Sequence, residues 1–188
     1  MDVTASDAEL IARARGGDDD AFRSLVRRHE GVVSAIVIRM LGPGDEADDV
    51  GQETFVRFFN ALGSFRGDAA VRTYLVRIAM NLSLNALRRR RWQMARFMRH
   101  DSAPASAVAL PARGGEAAVE DAERRGRVRQ ALAALDDKHR AVVVLRFFDE
   151  RSTRETAQLL GIPEGTVMSR LKRALERLRS LLQGLEEA

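Results

Sequence analysis

The 188-residue chain contains no cysteine, one tryptophan, one tyrosine and four prolines. The absence of cysteine excludes disulfides, thiolate catalysis and cysteine-ligated zinc, and it fits a reducing compartment. No apolar run approaches the ~18 residues that a membrane span needs. The first residues also lack the basic-then-apolar order of a signal peptide. We therefore expect a cytoplasmic protein that does not bind membranes.

Motifs for catalysis and for phosphate binding are equally scarce. The three histidines, His29, His100 and His139, lie in separate segments of the chain. Neither a glycine-rich phosphate loop nor an H-E-x-x-H metal motif occurs. The acidic stretch around Asp48 could be read as a carboxylate metal site, but a solvated acidic face is commoner and no histidine is nearby. The sequence predicts no catalytic residue, no cofactor and no metal.

Charge is abundant, at 31% of residues, and it is unevenly placed. Residues 1–62 carry a net charge of −5, residues 63–100 carry +8, residues 101–126 carry −2, and residues 127–188 carry +3. A segment at +8 attracts polyanions, although a solvated arginine-rich helix face has the same composition. Aromatics lie among these arginines, which favours a surface for single-stranded nucleic acid. They are Phe65, Tyr74, Trp92 and Phe97.

Apolar residues recur at helical spacing along most of the chain, without strand alternation or an internal repeat. Between Met94 and Glu116 this periodicity fails, and prolines, glycines and alanines indicate a flexible linker. The sequence predicts an all-α protein with one small helical domain at 1–93, a linker at 94–116 and a second domain at 117–188. In the third helix the core candidates are Val50, Phe55, Phe58, Phe59 and Leu62.

The strongest local signal lies between Arg151 and Arg179. Ser152 and Glu155 form a capping box, Gly161 can end the short helix in a left-handed conformation, and Pro163 suits the first turn of the next helix. These features predict a helix-turn-helix.

The second helix of this motif has two opposite arcs at ~100° per residue. The apolar arc consists of Val167, Leu171, Ala174, Leu175 and Leu178. The other arc is rich in serine, lysine and arginine. An ordinary amphipathic helix looks the same, but the preceding cap and corner favour a helix that enters the major groove of DNA.

Several segments resemble sigma factors of bacterial RNA polymerase. Residues 48–55 resemble region 2.2, and residues 64–66 with 73–82 resemble regions 2.3 and 2.4. Residues 134–135 with 140–146 resemble region 4.1, and residues 161–171 resemble region 4.2. The motifs come in the family's order, and the extra regions of housekeeping sigma factors are missing. The chain is therefore similar to the extracytoplasmic-function group (group IV) of the sigma-70 family.

This resemblance implies a protein that binds core RNA polymerase at the β′ clamp helices and the β flap. It also implies recognition of the −10 and −35 promoter elements, promoter melting, transcription initiation and regulation by an anti-sigma factor. The family has no catalysis of its own. A stand-alone helix-turn-helix regulator, whose N-terminal half dimerises or binds a ligand, is the main alternative; an enzyme is the third.

The resemblance also assigns residues. For polymerase binding it implies Asp45, Asp48, Asp49, Gln52 and Glu53. For the −10 element it implies Phe65, Arg66, Arg72, Arg77 and Asn81, with phosphate contacts from Arg88, Arg89, Arg90 and Arg91. For the −35 element we expect Ser169, Arg170, Lys172 and Arg173, with Met168 as a further contact. Asn81 could instead be a plain surface amide, and Tyr74 is expected to be a core aromatic. Gly51 departs from the family pattern, which has an apolar residue there.

Overall fold

The computed structural model describes residues 5–65, 67, 70–97 and 116–186, so most of the expected linker lies outside it. The described residues form eight α-helices and no strand, which confirms the all-α prediction. The helices are α1 (Asp7–Arg15), α2 (Asp19–Leu41), α3 (Asp45–Ala61), α4 (Val71–Phe97), α5 (Glu116–Ala133), α6 (Asp137–Val143), α7 (Thr153–Leu160) and α8 (Glu164–Glu186). A 3₁₀ turn, Leu62–Ser64, follows α3, and a π-helical turn, Val144–Phe148, continues α6.

Local signals place the ends of the helices. Asp18 caps α2, where its Oδ1 accepts a hydrogen bond from the Ala21 amide at 3.0 Å. This bond, followed by one from Arg13, lowers the pKa of the Asp18 carboxyl. Gly42 ends α2 with a φ of 82°, a backbone conformation that residues other than glycine rarely adopt. Helix α4 continues to Phe97, seven residues past the end that periodicity indicates, and so enters the expected linker.

The first half, α1 to α4, packs around Phe58 and its aromatic neighbours. The Phe58 ring meets Phe65 edge-on with centroids 5.9 Å apart, and Phe65 meets Tyr74 at 5.1 Å. Tyr74 is therefore a packed aromatic, as expected. Phe59 is 49% exposed, so its placement in the core was wrong. Its ring contacts only the rim of the core, edge-on to Phe22 at 4.9 Å.

The second half, α5 to α8, has a smaller core between α8 and the helices before it. Buried Val167 and Ala174 anchor α8, with Leu171 and Leu178 packed beside them. Leu175 is 43% exposed, which corrects its assignment to the buried arc. It lies at the edge of the arc, one residue past Ala174, where the neighbouring helices no longer cover it.

The two halves pack against each other, whereas the sequence favoured separate bodies on a tether. The physical reason lies in α6 and its π-helical extension, where residues 141–145 are all buried. Val142 and Val143 face the second half. Ala141, Val144 and Leu145 belong instead to the core of the first half. A helix that is apolar all round must be covered on both sides. Helices α2 and α4 cover the side of α6 that faces the first half.

Arg140 ties the halves together at the centre of this contact. Its side chain is 6% exposed. One guanidinium nitrogen donates to the Met40 carbonyl at the end of α2. The other donates to the carbonyls of Ala133 at 2.6 Å and Leu135 at 3.1 Å. Burial lowers the pKa of Arg140. The three carbonyls replace the water that would otherwise solvate its charge.

Ion pairs surround this contact. Asp149, 4% exposed, lies 2.5 Å from Arg72 on α4 and 2.6 Å from Arg151. Arg151 also donates to the Thr73 hydroxyl at 3.2 Å. Burial acts to lower the pKa of Arg151, but the hydrogen bond that Arg151 donates to the Asp149 carboxylate leaves this pKa raised. Within the described ranges, no helix is both long and apolar enough to cross a bilayer.

Candidate nucleic-acid interface

The corner between α7 and α8 is built as the sequence predicts. Gly161 adopts the left-handed conformation, with φ 64° and ψ 38°, and its amide donates to the Ala157 carbonyl. The Ile162 amide donates to the same carbonyl at 3.0 Å. The Pro163 carbonyl then accepts the first hydrogen bond of α8, from the Thr166 amide at 2.9 Å. The turn fixes the direction in which α8 leaves α7.

The start of α7 is held by a complete capping box. The Glu155 amide donates to the Ser152 hydroxyl at 3.1 Å, and the Ser152 amide donates back to the Glu155 carboxylate at 2.9 Å. The pKa of Glu155 is lowered to about 2. The largest cause is the hydrogen bond from the Ser152 hydroxyl, followed by the bonds from the Ser152 amide and from Arg151. This low pKa keeps the carboxylate ionised near neutral pH, the form that accepts the bonds of the cap.

The outward face of α8 carries the residues expected at the −35 element. Ser169, Lys172 and Arg173 are exposed, and Arg170 is partly exposed. Met168 is 56% exposed, and its sulfur accepts a long hydrogen bond of 3.8 Å from the hydroxyl of Thr153 at the start of α7. No carboxylate in the described part of the chain forms an ion pair with the three basic residues of this face. Their charges are therefore free to meet phosphates or base edges.

Helix α4 presents the residues expected at the −10 element. Arg77 and Asn81 are exposed one turn apart on the same face. Asn85, which the sequence did not single out, continues that face by another turn. Phe65 is 8% exposed and packed against Phe58, so its ring lies in the core here and its role as a base contact stays a prediction. An aromatic next to a loop can turn into the core, and this one does.

The loop before α4 is held by a residue that is far from it in the sequence. Arg15, at the end of α1, donates to the Leu62 carbonyl at 2.8 Å and to the Phe65 carbonyl. Nothing in the sequence pointed to this positioning role, since 47 residues separate Arg15 from Leu62. Arg72 is engaged by Asp149 of the second half. Arg66 lies outside the described residues.

The arginine run 88–91 divides into two pairs. Arg90 is ion-paired with Glu46 and donates to the Leu41 carbonyl at 3.2 Å. Arg91 lies 2.8 Å from Asp137 of the second half. Arg88 and Arg89 are exposed, and Arg88 bonds only the side-chain oxygen of Asn85, at 3.1 Å. Two of the four expected phosphate contacts therefore already have carboxylate partners.

The expected polymerase-binding residues lie on the exposed side of α3. Asp45, Asp48, Asp49 and Gln52 are exposed, while Glu53 is partly buried and accepts a hydrogen bond from Arg57 at 2.8 Å. Among the residues that the structure describes, no group of three or more His, Asp or Glu side chains could hold a metal ion. Among the described residues, Asp45, Asp48 and Asp49 have no ion-pair partner, so this side of α3 presents free negative charge.

Two family models match the chain in the order of its two halves. Residues 25–93 match Sigma-70 region 2, and residues 131–180 match Sigma-70, region 4. Together the matches cover more than half of the 188 residues.

The chain belongs to the sigma-70 family. Its relatives place it in the extracytoplasmic-function (ECF) group. It is 38% identical over 177 residues to the ECF RNA polymerase sigma factor SigM of Mycobacterium tuberculosis, covering 94% of this chain and 85% of SigM. It is 33% identical over 181 residues to the ECF RNA polymerase sigma factor SigW of Bacillus subtilis, covering 93% and 96%. The resemblance stated from the motifs is confirmed.

A solved structure shares the fold of this sigma factor. It is CnrH in complex with the cytosolic domain of CnrY, with a TM-score of 0.63 and 32% identity, covering 95% of this chain and 97% of CnrH. The match to region 2 includes α3 and most of α4, where a stand-alone regulator would carry a dimerisation or ligand module. The comparisons therefore favour a sigma factor over that alternative. This family is not one of catalytic enzymes.

The resemblance implies an apolar residue at the position of Gly51, and the surroundings of this glycine are open. A Cβ built at Gly51 meets no atom within 4 Å. The glycine therefore serves no close approach and only weakens α3. We expect Gly51→Ala to raise the free energy of unfolding by about 0.5–1 kcal/mol. Urea denaturation measures this change, and a loss of stability would show that α3 needs the glycine.

Proposed function

We propose that this protein binds core RNA polymerase, recognises the −10 and −35 elements of its promoters and promotes their melting, without catalysis of its own. The observation that carries this proposal is a pair of cationic faces, one in each family-matched region. Exposed Arg77 and Arg88 lie on α4, and exposed Lys172 and Arg173 lie on α8. We place the protein in the cytoplasm, where the polymerase acts.

Polymerase binding is assigned to the acidic side of α3. Asp45, Asp48, Asp49 and Gln52 project from one side with no ion-pair partner among the described residues, and Glu53 lies at the edge. Carboxylates one turn apart form a surface that fits the β′ clamp helices of core polymerase. A second contact is assigned to the β flap.

Recognition of the −10 element is assigned to α4. The amide of Asn81 offers both a donor and an acceptor to a base edge, and Arg77 lies one turn before it. The loop before α4, which includes Arg66, completes the pocket in this proposal. Arg88 and Arg89 hold phosphates, which adds affinity without sequence preference.

Recognition of the −35 element is assigned to α8. Ser169, Arg170, Lys172 and Arg173 lie beside or opposite the buried Val167–Ala174 stripe, so they point into a groove when the helix docks on duplex DNA. Met168, at the start of the second turn of α8, is placed against apolar base edges. An anti-sigma factor is the proposed regulator, as the resemblance implies, and the similar protein CnrH was solved in complex with another protein, the cytosolic domain of CnrY.

Run-off transcription tests the proposal directly. Purified core polymerase is incubated with genomic DNA fragments, with and without this protein. We expect discrete transcripts only when it is present, and weak promoter binding by the protein alone. Tight binding of promoter duplex without polymerase would instead indicate a stand-alone regulator.

Arg173→Ala should weaken recognition of the −35 element. Loss of one bidentate contact to a base costs about 1–3 kcal/mol, so we expect promoter affinity of the holoenzyme to fall by about 5- to 150-fold. The measurement compares a native promoter with one whose −35 sequence is scrambled. Arg23→Ala, which removes an exposed arginine of α2, is the matched control and should leave affinity unchanged. Equal losses by Arg173→Ala on both promoters would reduce its role to phosphate binding.

A further inference from the structure

One exposed stripe runs the length of α4. Its members recur every three or four residues, so they fall within an arc of about 100°. They are Arg77, Asn81, Asn85, Arg88, Trp92 and Arg96, all exposed. At a rise of about 1.5 Å per residue, Asn81 and Trp92 lie about 16 Å apart along the helix. The end of α4 thus continues the face that is assigned to the −10 element.

Trp92 occupies the far part of this stripe. It is the only tryptophan of the chain, and 69% of it is exposed. It lines an open cleft of about 440 Å³ with Asn85, Arg88, Arg89, Gln93 and Arg96. An exposed aromatic set among cations is the arrangement on which unpaired bases stack.

The charges of this cleft have no counterpart within the described structure. Arg88 bonds only the amide oxygen of Asn85. Arg89 and Arg96 form no ion pair with any described carboxylate, in contrast to Arg90 and Arg91, which do not line the cleft. Three unpaired guanidinium groups around an exposed indole favour a polyanionic ligand that also offers a flat apolar surface.

We propose that the Trp92 cleft binds single-stranded DNA, with the indole stacked on an unpaired base and Arg88, Arg89 and Arg96 on the flanking phosphates. Aromatic platforms among cations bind single strands in this way. Paired bases of a duplex are stacked on one another and offer no face to the indole. The inference rests on the proposed function, which brings a melted promoter strand to Asn81.

The sole tryptophan makes the test direct. The full chain is titrated with a single-stranded oligodeoxynucleotide of about 12 nucleotides, with the matching duplex and with inorganic polyphosphate, while indole fluorescence is followed. We expect strong quenching by the single strand and little by the other two. Equal quenching by polyphosphate, or none by the single strand, overturns the proposal.

Variants separate stacking from general charge. Trp92→Ala should weaken single-strand binding about tenfold in an anisotropy assay, and Trp92→Phe should restore part of it. Phe147→Ala removes a similarly exposed aromatic from the second half and should change nothing. If Trp92→Ala instead weakens binding to core polymerase and spares the single strand, the cleft binds protein and the proposal is wrong. Run-off transcription by the wild type tests the proposed function separately, since it can succeed without any stacking at Trp92.

Discussion

Arg140→Ala is expected to lower the free energy of unfolding by about 3 kcal/mol or more. The substitution leaves the carbonyls of Met40, Ala133 and Leu135 without the donor that Arg140 supplies to each of them. A buried polar group that loses its partner costs about 1–3 kcal/mol, and three are affected here. The empty volume of the side chain adds to this cost.

Urea denaturation followed by circular dichroism measures the effect of Arg140→Ala. Arg23→Ala is the matched control, because Arg23 is exposed and pairs only with exposed Asp20. It should change stability by less than about 0.5 kcal/mol. A change below about 1 kcal/mol for Arg140→Ala would mean that water reaches these carbonyls when the arginine is removed, and that the contact between the halves is loose.

Asp149→Ala is the second substitution with a large expected effect, a loss of about 3 kcal/mol. The Asp149 carboxylate is buried between Arg72 and Arg151, at 2.5 and 2.6 Å. Arg151 is itself mostly buried, so removing its partner leaves a charge that water solvates poorly. Arg72 is nearly half exposed and contributes less to the loss. Asp20→Ala, at an exposed carboxylate, is the control.

A double-mutant cycle with Arg72→Ala apportions this effect. The two single variants and the double variant are compared by their unfolding midpoints and slopes. We expect a coupling energy between Arg72 and Asp149 of about 0.5–1 kcal/mol, since Arg72 is partly screened by water. Full additivity would show that Asp149 acts through Arg151 alone, and that the ion pair between the halves has no energetic weight.

Interactions between residues close in the sequence determine most of the local structure. The capping box at Ser152, the glycine corner at Gly161 and the proline after it each act within a few residues. The sequence therefore predicted α7, its end and the direction of α8 from side chains that touch their own backbone. Residues 141–145 form an apolar run that is buried on both sides, and periodicity says nothing of what covers each side. That the first half covers it follows only from tertiary packing.

The candidate site was less predictable for the same reason. Arg88 and Arg90 look alike in the sequence, but Arg90 is neutralised by Glu46, 44 residues away. Composition cannot separate a free arginine from one held by a distant carboxylate. Phe65 and Phe59 show the matching difficulty for aromatics, since neighbouring turns decide which ring is covered. Trp92 stood out among the basic residues, yet its exposure was knowable only once α4 was seen to continue past Arg90.

The core shared by the two halves has a thermal consequence. Parting them transfers Ala141, Val144 and Leu145 from apolar contact into water. Hydration of apolar surface increases the heat capacity, and the apolar attraction weakens on cooling. The balance between joined and parted halves therefore follows a curve with temperature rather than a straight line.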